Sequence, residues 1–303
     1  MRRAPLHPLA LAVAVLVAGC SGSARTSSSG RTAPATVGSS TSTTAASRRT
    51  APATVGSSTS TTAASRRSQA CGTPAAPTGD QRVHVAPPAG SPGSYIRHLP
   101  AGYDGTNPIP VVFDLHGYGE PAAVEEQLSG LAAYGDTHGF ATVLPETTAT
   151  VPLWDATPGS ADLTFFEAVL DDVERTVCVD ERRVFVAGLS NGAFMTSAVA
   201  CQDAGRIAAA APVAGIQDIA GCRPTRPVPV VAFHGTADPY VSFDGGFGPA
   251  VANLPTPNGT GRLGAAAVTT KGPSITEQTT AWARRNGCSP PPGDVVVAPD
   301  VTL

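Results

Sequence analysis

No acidic residue occurs before Asp80 in this 303-residue chain. All 23 acids fall in the C-terminal part, where twelve basic residues leave residues 71–303 with a formal charge of −11. A field of that sign argues against a nucleic acid or any other polyanionic partner. The chain has no C-x-x-C and no His/Cys cluster with metal-ligand spacing, so neither a metal site nor a cofactor is expected. Histidine is confined to His7, His84, His98, His116, His138 and His234, and none follows His234. No apolar run is long enough to cross a bilayer as a helix.

The amino terminus is of another kind. Met1-Arg-Arg3 followed by Leu9–Val17 has the charged and apolar regions of a signal peptide. It ends in Val17-Ala18-Gly19-Cys20, which resembles a bacterial lipobox. That resemblance implies cleavage before Cys20, lipidation of its thiol and attachment to the membrane at the cell surface. Residues 1–19 are therefore read as a lipoprotein signal. Residues 20–70 form a Ser/Thr/Ala-rich stretch in which residues 32–49 recur identically as 50–67. The repeat lacks the large apolar residues a core needs, so it reads as a disordered tether.

From Arg82 onward strand-like and helix-like segments interleave. Strands are expected at 83–85, 94–98, 110–115, 140–144, 184–187, 207–211, 228–233 and 294–297, and helices at 122–137, 163–177, 193–202 and 274–286. The later strands are nearly all apolar, as in a parallel sheet covered on both faces. The alternation predicts an α/β domain over residues 71–303, with a mostly parallel sheet and helices on both faces. The first two runs suit an antiparallel hairpin at the sheet edge.

Gly188-Leu189-Ser190-Asn191-Gly192 reads G-x-S-x-G between a β-branched run and a helical one, the context of the nucleophile elbow of an α/β-hydrolase. The turn strains the serine backbone, the glycines let strand and helix approach, and Oγ is held at a helix N-terminus. Ser190 is thus the candidate nucleophile. His116-Gly117-Tyr118-Gly119 closes an earlier strand, where a backbone N–H near Tyr118 can join the amide of Asn191 in an oxyanion hole. Asp238, in His234-Gly-Thr-Ala-Asp238 just past a strand, is the candidate acid that orients an imidazole. In this fold the order is Ser, acid, His, yet no histidine follows Asp238, and His234 is read as a residue that orders the loop. Trp154 lies in a loop able to overhang the serine; exposed, it would stack on a sugar or phenolic ring, and buried it would be a packing anchor.

These motifs, with Val179-Asp-Glu-Arg-Arg-Val184, Ala211-Pro-Val-Ala-Gly215 and Trp282-Ala-Arg-Arg-Asn-Gly-Cys288, resemble the secreted esterases grouped as polyhydroxybutyrate depolymerase-like and feruloyl esterase-like α/β-hydrolases. The resemblance covers roughly residues 71–303. It implies a serine carboxylic ester hydrolase that forms an acyl-enzyme on Ser190 and takes polyhydroxyalkanoate, feruloyl or acetyl esters. In that family a further cysteine and a Gly-Gly-His-like segment follow the Asn-Gly-Cys element. The sequence stops at Leu303 before either, so the expectation is a C-terminally truncated member, lacking its last strand and helix and the triad histidine, and poor or inactive as a catalyst. The alternatives are an inactive surface lipoprotein of the same fold that binds an acyl or glycan ligand, and an acyltransferase. Once Cys20 is set aside for lipidation, five cysteines remain. Cys201, near the end of the elbow helix, and Cys222, in the return segment, approach the same sheet edge and are expected to pair. Cys71 with Cys178 is the second bridge, which leaves a free thiol at Cys288.

Overall fold

A sheet runs through the computed structural model, which describes residues 13–18, 67–87, 89, 92–269, 271–289, 296–298 and 301–302. Its strands are β1 (Val13–Ala18), β2 (Gly79–Val85), β3 (Gly93–Leu99), β4 (Ile109–Leu115), β5 (Ala141–Thr147), β6 (Val179–Leu189), β7 (Ala209–Val213), β8 (Val230–Gly235), β9 (Val296–Ala298) and β10 (Val301–Thr302). Their spatial order is β2-β3-β5-β4-β6-β7-β8-β1-β10-β9. Neighbours from β5 through β4, β6 and β7 to β8 are parallel. β2 and β3 form the expected antiparallel hairpin at one edge.

The helices are α1 (Ala122–Ser129), α2 (Leu131–His138), α3 (Ala161–Thr176), α4 (Asn191–Gln202) and α5 (Ile275–Arg285). One face of the sheet buries Val111 and Phe113 of β4 and Val184 and Val186 of β6 against Phe166 of α3 and Met195 of α4. The single helix expected at 122–137 is two helices. Gly130 adopts φ 64°, ending α1 and starting α2, a left-handed turn that favours glycine. α3 starts on Ser160, whose hydroxyl accepts from Leu163 N, and α5 on a Ser274/Glu277 capping box. Trp282 of α5 is fully buried, and its Nε1 donates to Gln217 O at 2.9 Å.

Two disulfides fall where expected, Cys201–Cys222 and Cys71–Cys178. The free thiol expected at Cys288 is a correction: that residue is disulfide-bonded, and no free cysteine occurs among the described residues. Cys20 and the tether lie outside the described residues. Val13–Ala18, the apolar core of the expected leader, is a strand here, antiparallel to β8 with Val13 opposite Gly235 and Ala18 opposite Val230. An apolar, β-branched run of this length pairs readily with backbone groups at an otherwise open sheet edge. No described helix is long and apolar enough to cross a membrane.

Candidate active site

Ser190 sits between β6 and α4 with φ 54° and ψ −111°. For a residue with a side chain this is a strained conformation, held only where the surroundings fix it. Those surroundings are steric. A Cβ on Gly188 would lie 2.6 Å from Gly192 O, and one on Gly192 would lie 2.0 Å from Leu115 O and 2.6 Å from His116 O. Both elbow glycines are therefore required, and the second lets the start of α4 press against the end of β4. Ser190 N donates to Val213 O at 2.8 Å, which ties the elbow to β7. The next residue past that strand, Ala214, also has a positive φ, 52°, and donates to Phe233 O of β8 at 2.8 Å. Gly215 beside it is a local sequence hint of that second turn.

The loop after β4 supplies the facing wall. Gly117 N donates to Glu120 Oε2 at 3.3 Å and Gly119 N to Pro152 O at 2.7 Å. Between them the amide of Tyr118 donates to no acceptor among the described residues, and the amide of Asn191, in the first turn of α4, likewise has none. Two unengaged donors beside a strained serine are what an oxyanion hole needs. Tyr118 is steadied at its other end, where its hydroxyl donates to Pro255 O at 2.8 Å.

Trp154 is not the exposed platform weighed from the sequence. It is 3% exposed and serves as the packing anchor. Its Nε1 donates to His116 O at 3.0 Å, and its ring lies 4.7 Å from that of His116. Its backbone N donates to Asn191 Oδ1 at 2.6 Å, and Asn191 Nδ2 donates to Trp154 O at 3.1 Å. One residue thus clasps the β4 loop and the first turn of α4, which carry the unengaged amides. Sequence reasoning missed this clasp, because the spacing of Trp154 and Asn191 along the chain carries no sign of it. His116 is fully buried, with Nδ1 at 2.9 Å from Gly117 O, and burial pushes its imidazole pKa down, which keeps it neutral.

Asp238 lies beyond β8, two strands from the elbow in the order β6-β7-β8. Its Oδ1 accepts from Tyr240 N at 2.8 Å and Val241 N at 3.0 Å. Its Oδ2 is 3.7 Å from His234 Nε2, which is bonded instead to Val241 O at 2.8 Å. His234 is 2% exposed and orders this loop, as the sequence suggested. Among the described residues no histidine is hydrogen-bonded to Ser190 Oγ. His98 is held by Asp80 at 2.6 Å and Asp136 at 3.1 Å, and His138 stacks on Tyr134. A cavity of about 280 Å³ opens beside the elbow helix, with Phe194, Phe247, Val241, Gln217, Gln278 and Lys271 in its walls.

The parallel sheet, the covering helices and the strand–elbow–helix unit define an α/β-hydrolase. Within that class the chain is related in sequence to esterases of the feruloyl esterase and polyhydroxyalkanoate depolymerase kind, the group its motifs resemble. It is 30% identical to feruloyl esterase B of Piromyces equi over 208 residues, covering 65% of this chain and 36% of that protein. It is 34% identical to poly(3-hydroxyalkanoate) depolymerase C of Paucimonas lemoignei over 129 residues, covering 40% and 30% respectively. With feruloyl esterase C of Emericella nidulans the identity is 29% over 166 residues, 50% of this chain and 57% of the other. The chain thus spans between about a third and just over half of these relatives. A solved acetyl xylan esterase from Aspergillus awamori superposes with a TM-score of 0.38 at 20% identity, over 44% of this chain and 52% of the other. No family model matches the chain.

Proposed function

We propose that this chain is a serine ester hydrolase. Ser190 Oγ attacks the carbonyl carbon of a carboxylic ester, and the amides of Tyr118 and Asn191 receive the oxyanion. The serine proton would pass to an imidazole oriented by Asp238 and from there to the leaving alcohol, a base that no described histidine supplies and that the family resemblance implies after the Asn-Gly-Cys element. Water then cleaves the acyl-enzyme by the same path. The substrate class is a polyhydroxyalkanoate, feruloyl or acetyl ester, with one side of the ester against Phe194 and Phe247. The signal-like start and Cys20 favour a secreted protein held at the bacterial surface by a lipid. The observation that carries the reading is the strained Ser190 flanked by two unengaged amides. The test is turnover of p-nitrophenyl acetate together with labelling by a fluorophosphonate. In a protein that also carries the triad histidine, Ser190→Ala is expected to abolish labelling and to lower kcat by about 10³-fold or more. A variant that keeps its label or most of its turnover overturns the assignment.

A second reading is a binding protein of the same fold that no longer turns over esters. One observation favours it: no imidazole among the described residues is bonded to Ser190. It predicts a wild-type chain with no measurable turnover that still binds an acyl or glycan ligand.

A further inference from the structure

Behind the elbow, on the sheet face turned away from α4, lies a cavity of about 350 Å³ that the ester chemistry does not use. Its floor is a row across three strands, Asp114 of β4 beside Ala187 of β6 beside Ala211 of β7. Leu128, Leu131, Leu189 and Val213 form its sides, and Leu128 is 62% exposed. Glu125 of α1 closes the inner end beside Asp114. The two acids are 2% and 3% exposed. Asp114 Oδ2 and Glu125 Oε2 are buried without a hydrogen bond of normal geometry, although the two carboxyls lie close enough to interact with each other and Asp114 with the Ser129 hydroxyl, and among the described residues neither acid has an ion pair with Lys, Arg or His.

Buried polar atoms are nearly always paired, because leaving one unpaired forfeits its hydration, and a charged one loses more. Burial first, and for Glu125 the charge of Asp114 next, pushes both carboxyls well above their ordinary range. Two carboxyls pressed together in a dry site resist carrying two charges at once, so a cation beside them would be stabilised. The complementary group is one positive charge with several N–H donors. The walls around it are hydrocarbon. A divalent cation is a poor match, since it needs about six oxygen ligands and the cavity offers two carboxyls and the hydroxyl of Ser129.

We propose that this cavity is a binding site for an alkylammonium group, with its ammonium on Asp114 and Glu125 and its chain between Leu128, Leu131 and Val213. The group is either a free primary amine or the side chain of a lysine from a covering polypeptide. The chain's only lysine, Lys271, lines the separate cavity beside α4. The site is independent of Ser190 and stands or falls apart from the ester reading.

The test uses the full chain with alanine and leucine methyls labelled for NMR, titrated with n-butylammonium chloride. Saturable shifts confined to Ala187, Ala211, Leu128, Leu131 and Leu189 are expected, at least tenfold tighter than with 1-butanol. The near-isosteric double variant Asp114→Asn/Glu125→Gln should weaken binding at least tenfold. Nα-acetyl-lysine N-methylamide separates the sources: tighter binding than butylammonium points to a polypeptide side chain, weaker binding to a free amine. Absence of saturable shifts, equal binding of butanol, or an unaffected double variant overturns the proposal. The butanol comparison decides even if the double variant fails to fold.

Discussion

The elbow end and the acid end of the site are built differently. At the elbow, contacts below normal van der Waals distance forbid any side chain at Gly188 or Gly192. The backbone of Ser190 is tied to β7, and Trp154 clasps the loops on both sides. At the acid end, Asp238 Oδ1 caps its own turn and Oδ2 faces His234 at 3.7 Å, while the imidazole a serine needs is not bonded to Ser190 among the described residues. The part proposed to receive an oxyanion is thus fixed by sterics close to the motif. The part proposed to move the proton would depend on a group brought from elsewhere.

The largest effect should come from breaking the elbow. Gly192→Ala forces a Cβ to within 2.0 Å of Leu115 O, a backbone atom that cannot move without shifting β4. Loss of about 4 kcal/mol or more is expected, near the top of the range for single substitutions. Urea unfolding measures it, and a variant within about 1 kcal/mol of wild type would show that the elbow is not sterically locked.

Removing disulfides sharpens the contrast next. Cys71–Cys178 closes a separation of 107 residues and Cys201–Cys222 one of 21. Chain-entropy arguments give about 3 kcal/mol for a short loop and about 4.7 for a hundred-residue one. The double serine variant of the longer bridge should therefore be the less stable, by roughly 1.5 kcal/mol. Equal midpoints in urea would mean that native packing, and not loop closure, sets their value.

Trp154→Phe is a smaller and more local break. It removes the donor to His116 O and leaves a buried carbonyl unpaired, at about 1–3 kcal/mol. If the clasp positions the two amides, kcat on p-nitrophenyl acetate should fall while KM stays within about twofold, since the loss concerns the transition state alone. A rise in KM at constant kcat would instead make Trp154 a ground-state binding residue.

What was legible in the sequence follows the same division. The elbow was legible because its requirements are local: two glycines, a β-branched strand before and a helical run after. The parallel sheet was legible from its apolar strands, and the pair Cys201–Cys222 from where the elements ran, whereas no element position argued for Cys71–Cys178. The break at Gly130 was missed because the apolar spacing continues across it, and only the left-handed backbone reveals the turn. Trp154 was left open because exposure of a loop residue depends on what folds over it, here the amide of Asn191 from a distant helix. Cys288 was read as a free thiol, whereas it is disulfide-bonded, a pairing that cysteine spacing alone does not reveal. The strand at Val13–Ala18 was not anticipated, since the same apolar residues serve a leader and a sheet edge equally well.

The smallest expected effect is a pH dependence belonging to the elbow end. Asp114 and Glu125 lie behind the β4 loop, with Glu120 and Glu126 the other charged groups that act on them and Ser129 the nearby hydroxyl. Burial raises both carboxyls in the folded state, so the folded chain keeps protons that the unfolded chain releases near pH 4. By linkage that stability is fully present in acid and is lost as the pH rises through the raised native values, across the neutral range. Asp203, pushed up to about 7 chiefly by burial, contributes with the same sign. The urea midpoint should therefore decline from acid to mildly alkaline pH. Glu125→Gln removes one titrating group and leaves the slope set by Asp203 and the remaining raised acids, so its decline should be shallower than that of wild type. Parallel slopes would mean that Glu125 is solvated in solution, and the cavity behind the elbow would then lose the charge assigned to it.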